Sequence, residues 1–156
     1  MQHFKFLVLN GPNLGALGIR QPEIYGTRSM QDLRQMLHDL APSLAPRLEL
    51  EFYQDNSEGG LIDRMESSRN QGCQGLVLNA GAYTHTSLAL ADCLAWIGLP
   101  CVEVHLSNVW ARQEEIRHQS LIAPVCIGVV SGFGLRSYAL AILALAEHVQ
   151  DGKGLD

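Results

Sequence analysis

Residues 75–105 read G-L-V-L-N-A-G-A-Y-T-H-T-S-L-A-L-A-D-C-L-A-W-I-G-L-P-C-V-E-V-H. The first five are apolar up to Asn79, as in a strand covered on both faces. A helical pattern runs over about Ser87–Ile97, and Gly98 and Pro100 end it. Residues 101–105 make a second short strand, interrupted by Glu103 and closed by His105. A strand, a helix and a strand in that order form a parallel pair with the helix packed on one face.

Working outward, the same alternation continues in both directions. A strand is predicted over Phe4–Asn10. A helix starts near Ser29, with Asp32 as a weak capping box and Leu33, Met36, Leu37 and Leu40 as its apolar stripe. Pro42 and Pro46 close that region. Next come a strand over Leu48–Gln54 and a helix over about Gly59–Gln71, with Leu61, Ile62 and Met65 facing inward and Gly72 as the stop. Beyond the central unit, a short helix is predicted over Ala111–His118, a strand over Val125–Val130 and a last helix over about Leu135–Val149. Five strands alternating with helices suit an α/β, flavodoxin-like parallel sheet of order 2-1-3-4-5, with helices on both faces. No repeat or linker interrupts residues 1–156, so one domain is expected. The last helix is apolar nearly all round, which predicts a second subunit against its outer face.

Bulk composition narrows the function. The chain has 156 residues, 47% hydrophobic and 17% charged, with a net charge of −5. That balance suits a soluble globular protein and argues against a nucleic-acid partner, which calls for a basic face. No apolar run approaches the roughly 18 residues of a membrane helix, and the N-terminus does not read as a signal peptide. Cys73, Cys93, Cys101 and Cys126 form no C-x-x-C pair; they read as buried reduced thiols of a cytoplasmic protein, with Cys126 inside the last strand, rather than as a metal site. Nine residues are arginine and only two, Lys5 and Lys153, are lysine. Neither lysine lies where a catalytic loop is expected, so Schiff-base chemistry and Walker-type phosphate binding are disfavoured.

The connector after the first strand is unusually long. Residues 9–26, L-N-G-P-N-L-G-A-L-G-I-R-Q-P-E-I-Y-G, carry four glycines and two prolines around Asn13, Arg20 and Tyr25. Such a stretch reads either as a surface loop or as a hinged lid that closes over a bound anion.

In an open α/β sheet, ligands bind at the carboxyl ends of the strands, where the strand order reverses. For order 2-1-3-4-5 that point lies between strands 1 and 3. Polar residues collect nearby: Asn10 and Asn13, then Asn79 with Tyr83, Thr84 and His85, then Glu103, His105, Ser107 and Asn108. Glu103 and His105 are two apart and share a strand face. A buried carboxylate needs a partner, and a Glu103–His105 pair would orient the imidazole for general acid work near neutral pH. A purely structural ion pair is the alternative. His85 reads equally as a ligand contact or as a surface histidine beside a helix cap. Asp92 reads as a solvated mid-helix residue, Ser107 with Asn108 as a turn, and Arg112 with Arg117 as a charged helix face.

Taken together, three segments resemble the type II 3-dehydroquinate dehydratases from end to end: L-N-G-P-N-L-x-x-L-G-x-R-x-P-x-x-Y-G at 9–26, N-A-G-A-Y-T-H-T-S at 79–87 and E-V-H-L-S-N at 103–108. The segment N-S-E-G-x-L-I-D at 56–63 agrees. The resemblance implies a flavodoxin-like subunit in a homododecamer, a tetramer of trimers. It implies anti elimination of water from 3-dehydroquinate to give 3-dehydroshikimate through an enolate, with no metal and no cofactor. By the same resemblance, Tyr25 is the base at C2 and Arg20 the cation beside it. A tyrosine with a pKa of about 10 is only about 0.1% ionised at pH 7, a deficit of about 4 kcal/mol that a guanidinium helps to offset. His105 is the general acid, with Glu103 as its partner. Asn13 holds a water at the enolate oxygen. Asn79, Ser107 and the Leu106 backbone form the carboxylate pocket, His85 and Arg117 contact ring hydroxyls, and Asp92 reaches into a neighbouring subunit's site. Several positions depart from the family pattern: Gly15 and Ala16 in the lid, which predict looser closure, Gln21 beside Arg20, Trp110 for a usual His, and one extra residue in 112–120. A biosynthetic role, a role in quinate catabolism and a non-catalytic binding homologue all remain compatible with these residues.

Overall fold

The computed structural model describes residues 1–16 and 29–152. Its five strands are β1 (Phe4–Asn10), β2 (Leu48–Gln54), β3 (Gly75–Asn79), β4 (Cys101–His105) and β5 (Gly128–Ser131). All neighbours pair in parallel, in the order β2-β1-β3-β4-β5, the flavodoxin-like order expected. The α-helices are α1 (Asp32–Leu40), α2 (Glu58–Asn70), α3 (Leu88–Ile97) and α4 (Arg136–Gln150).

The period-2 geometry of β1 divides the core in two. Phe4, Phe6 and Val8 pack with Val77, Val102 and Val104 against α1 and α4. Leu7 and Leu9 pack with Leu76 and Leu78 against α2 and α3. Helix starts follow side-chain capping: the Ser57 and Ser87 hydroxyls accept from the Gly60 and Leu90 N–H groups, each at 3.0 Å. Gly98 closes α3 in the left-handed conformation, φ +66°. Gly11 brings the ends of β1 and β3 together: its N–H donates to Asn79 O at 2.7 Å, and a Cβ there would lie 2.4 Å from Ala80 O.

Four expectations change. α1 begins at Asp32, after a turn; only half of the capping box forms, with Ser29 N–H donating to Asp32 Oδ2 at 2.9 Å. The predicted helix over 111–118 is instead two 3-10 turns, Val109–Ala111 and Glu115–His118. Arg112 between them is extended (φ −72°, ψ 150°), and its carbonyl accepts from His118 Nε2 at 2.7 Å, which is incompatible with a continuous helix. β5 starts at Gly128, because Pro124 sits in a 3-10 turn over Ala123–Val125 and pairing begins only opposite Val102. Cys126 therefore precedes the strand. Finally, α4 buries most of its apolar surface within the subunit: Tyr138, Ala139, Ala141, Ile142, Leu145 and Ala146 are all covered. Its outward stripe is Arg136, Leu140, Ala144 and Glu147, so the helix alone does not require a second subunit. Leu140 is the one large apolar side chain exposed on α4, and more exposed ones lie elsewhere, with Leu88 and Trp96 on α3 and Trp110, Ile116, Val129 and Phe133 around β5.

Candidate active site

The carboxyl ends of β3 and β4 and the two 3-10 turns after β4 enclose one cleft. Asn79, His85, His105, Leu106, Ser107, Arg112 and Arg117 line it, with Leu14 from the β1 side. The fold thus brings six of the expected site residues to one place.

Glu103 and His105 are both buried, at 1% and 7% exposure, and they pair through Glu103 Oε1 and His105 Nε2 at 2.6 Å. A carboxylate oxygen accepts, so Nε2 carries the shared hydrogen and Nδ1 is the ring nitrogen not engaged by Glu103. Glu103 is not left to His105 alone. Its Oε1 also accepts from Thr84 Oγ1 at 3.1 Å, and both of its oxygens accept from Ser120 Oγ at 2.9 Å. Its acceptor capacity is thus largely filled at a position where an unpaired charge would be costly.

His85 Nδ1 donates to Gln119 O at 2.6 Å, which leaves Nε2 of a neutral ring as an acceptor. Ser107 Oγ accepts from Arg112 Nη2 at 3.0 Å and keeps its own proton to donate. The Arg117 side chain makes a loose, exposed contact with Glu114, 3.5 Å from Nε to Oε2. Both arginines read from sequence as a charged helix face, and both line the cleft because the predicted helix is broken. Trp110 lies beside His118, with ring centroids 5.9 Å apart.

Asn13 is the one described non-glycine residue with positive φ, +68°, and its N–H donates to Asn56 Oδ1 at 3.1 Å. Asp92 is exposed on α3 and does not line this cleft. Arg20 and Tyr25, with Gln21, lie outside the described residues. Among the described residues, no group of three or more His, Cys, Asp or Glu side chains could hold a metal ion.

Three supporting residues escaped the sequence reading. Ser120 holds Glu103, Asn56 holds Asn13, and Tyr138 of α4 joins Asn79 to Asn10. Asn56 opens the 56–63 segment, and Tyr138 is the one tyrosine in an otherwise largely aliphatic helix.

Comparison with known proteins agrees with this architecture. The family model described as dehydroquinase class II matches residues 4–146. Two relatives are each named 3-dehydroquinate dehydratase. One, from Acaryochloris marina, is 49% identical over 151 residues, covering 96% of this chain and 98% of that one. The other, from Exiguobacterium, is 52% identical over 144 residues, covering 92% and 95%. The crystal structure of type II dehydroquinase from Butyrivibrio crossotus superposes with a TM-score of 0.83 at 45% identity, covering 92% of this chain and 98% of that one. That from Propionibacterium acnes superposes with a TM-score of 0.79 at 38% identity, covering 94% and 99%. On the extent of these matches and the shared strand order, the chain belongs to the class II dehydroquinase family and is an enzyme of the hydro-lyase class.

Proposed function

We propose that this chain removes water from 3-dehydroquinate by anti elimination through an enolate, giving 3-dehydroshikimate. The observation that carries the reading is the buried Glu103–His105 pair, whose imidazole stands on the wall of the polar cleft. Ionised Tyr25 takes the proton from C2, with Arg20 stabilising the phenolate, and the electrons of the broken C–H bond form the enolate. When the C1–O bond breaks, His105 delivers its Nδ1 proton to the departing hydroxyl, which leaves as water. The ketone re-forms beside a new C1–C2 double bond. His105 ends as the neutral Nε2–H tautomer, which Glu103 already holds.

Asn13 holds a water at the enolate oxygen. Asn79, Ser107 and the Leu106 backbone receive the carboxylate, and Arg112 donates to Ser107 Oγ beside them. His85 accepts from one ring hydroxyl through Nε2 while Arg117 donates to another. Asp92, exposed on α3, serves a neighbouring subunit's site in a homododecamer. The chain acts as one domain in the cytoplasm. No Schiff base enters the scheme: Lys5 sits at the start of β1, at the opposite end of the sheet from the cleft, and is paired with Glu51 at 2.8 Å.

The test is direct. Purified protein with 3-dehydroquinate should generate the ultraviolet absorbance of a conjugated enone carboxylate. Turnover should survive borohydride and vanish in Tyr25→Phe. A protein that binds the substrate without turning it over would refute the reading.

A further inference from the structure

The cleft's amide, Asn79, is held by a chain of hydrogen bonds whose direction is dictated at one end. The Gly81 backbone N–H can only donate, and it donates to Asn79 Oδ1 at 3.1 Å. The other end of that amide, Nδ2, must then face α4, where it donates to the Tyr138 hydroxyl at 2.8 Å. That hydroxyl has one proton left, which goes to Asn10 Oδ1 at 2.5 Å. Every link runs the same way, from Gly81 through Asn79 and Tyr138 to Asn10, across the ends of β3 and β1. Tyr138 is fully buried, and Asn79 and Asn10 are each 3% exposed. Burial also pushes the phenol above its ordinary range, so it stays a donor at any working pH.

We propose that Tyr138 is a positioning residue of the substrate-carboxylate pocket: it holds Asn79 so that the second Nδ2 hydrogen points toward the cleft and can donate to a carboxylate. The assignment rests on the carboxylate role of Asn79 in the proposed function. Tyr138 does not touch substrate. It acts through Asn79, and its reach from α4 ties the final helix to the site. Without the hydroxyl, Asn79 loses the partner that fixes its amide plane, and a buried donor and a buried acceptor are both left unpaired.

The experiment measures calorimetric affinity for quinate, a cyclohexane carboxylate without the ketone that elimination needs, and for its carboxamide. It uses the wild type, Tyr138→Phe, Asn79→Ala and the double variant. The expected result is a roughly tenfold weaker quinate affinity in each single variant, with carboxamide affinity changed less than about twofold. The double variant should be no weaker than Asn79→Ala, because both substitutions break one device. Unchanged quinate affinity in Tyr138→Phe, equal losses for acid and amide, or losses that multiply in the double variant would each overturn the proposal. A general packing role would lower Tm without altering the acid-to-amide ratio. If Tyr138→Phe does not fold, Asn10→Ser removes the hydroxyl's acceptor and should give a smaller, roughly threefold loss with the same selectivity; no loss overturns the proposal. Turnover is scored separately: a wild type that binds quinate selectively but does not dehydrate 3-dehydroquinate sinks the proposed function and leaves the Tyr138 assignment standing.

Discussion

Replacing Glu103 by glutamine tests the acid side of the site with little change of shape. Glu103 is buried and accepts from His105 at 2.6 Å, Ser120 at 2.9 Å and Thr84 at 3.1 Å. A glutamine has nearly the same volume, and the two hydroxyls can rotate to suit its amide, so the fold should persist. What disappears is the negative charge beside the imidazole. A hydrogen bond to a charged group contributes about 1.5–3 kcal/mol, and this pair is shielded from water. If that difference falls on the step in which His105 gives up its proton, kcat drops by roughly 10- to 100-fold, at about 1.4 kcal/mol per decade. KM should move by less than about threefold, because Glu103 does not line the cleft where the ring is held. Initial rates read from enone absorbance, with a thermal melt beside them, measure both. A Glu103→Gln enzyme with kcat within threefold of wild type would refute the reasoning and reduce the pair to a structural role. Glu103→Ala should behave differently: it strands three donors in the core, and stability should fall by about 3–5 kcal/mol.

Other outcomes follow from particular contacts. Gly11→Ala puts a Cβ 2.4 Å from Ala80 O, so the ends of β1 and β3 must separate. Stability should fall by about 1–3 kcal/mol and activity with it, as a melt and a rate assay will report. The Lys5 ammonium beside Glu51, reinforced by Arg64, holds that carboxyl below the ordinary glutamate value of 4.5. A lowered folded-state pKa stabilises above the ordinary value and stops doing so as pH falls through the folded one. Glu51→Gln should therefore cost under about 1 kcal/mol at pH 7, and the difference from wild type should shrink in acid melts below pH 4.5 and vanish once the pH is under the lowered folded-state value. Burial pushes Cys93 up to about 11 and raises Cys73; a hydrogen bond with Cys126, followed by burial, raises Cys101. A thiol reagent at pH 8 should therefore reach half-buried Cys126 first, and all four thiols only in denaturant.

Some of this was legible in one dimension. β1, β3 and β4 are largely apolar runs, as strands buried on both faces need to be, while β2 at the sheet edge alternates as L-E-L-E-F-Y-Q; each of the four spans the residues expected, and a parallel partner needs a helix between. The Glu103–His105 pair was legible too, since two residues apart on a strand means one face. β5 was misplaced because V-C-I at 125–127 is as apolar as a strand, yet pairing is set by where β4 begins, a fact about another segment. The helix over 111–118 failed for a similar reason. Its carbonyls and guanidinium found partners in His118 and Ser107, and local propensity could not anticipate that competition. The supporting polar residues belong wholly to the tertiary structure. Ser120 reaches Glu103 across 17 positions, Asn56 reaches Asn13 across 43, and Tyr138 reaches Asn79 across 59. The amino-acid order determined the alternating elements and the chemistry at the strand ends, since periodicity and composition are local. Which distant hydroxyl or amide would satisfy each buried polar group was decided only when the strands aligned, because a hydrogen bond needs two atoms about 3 Å apart and chain distance says nothing about that.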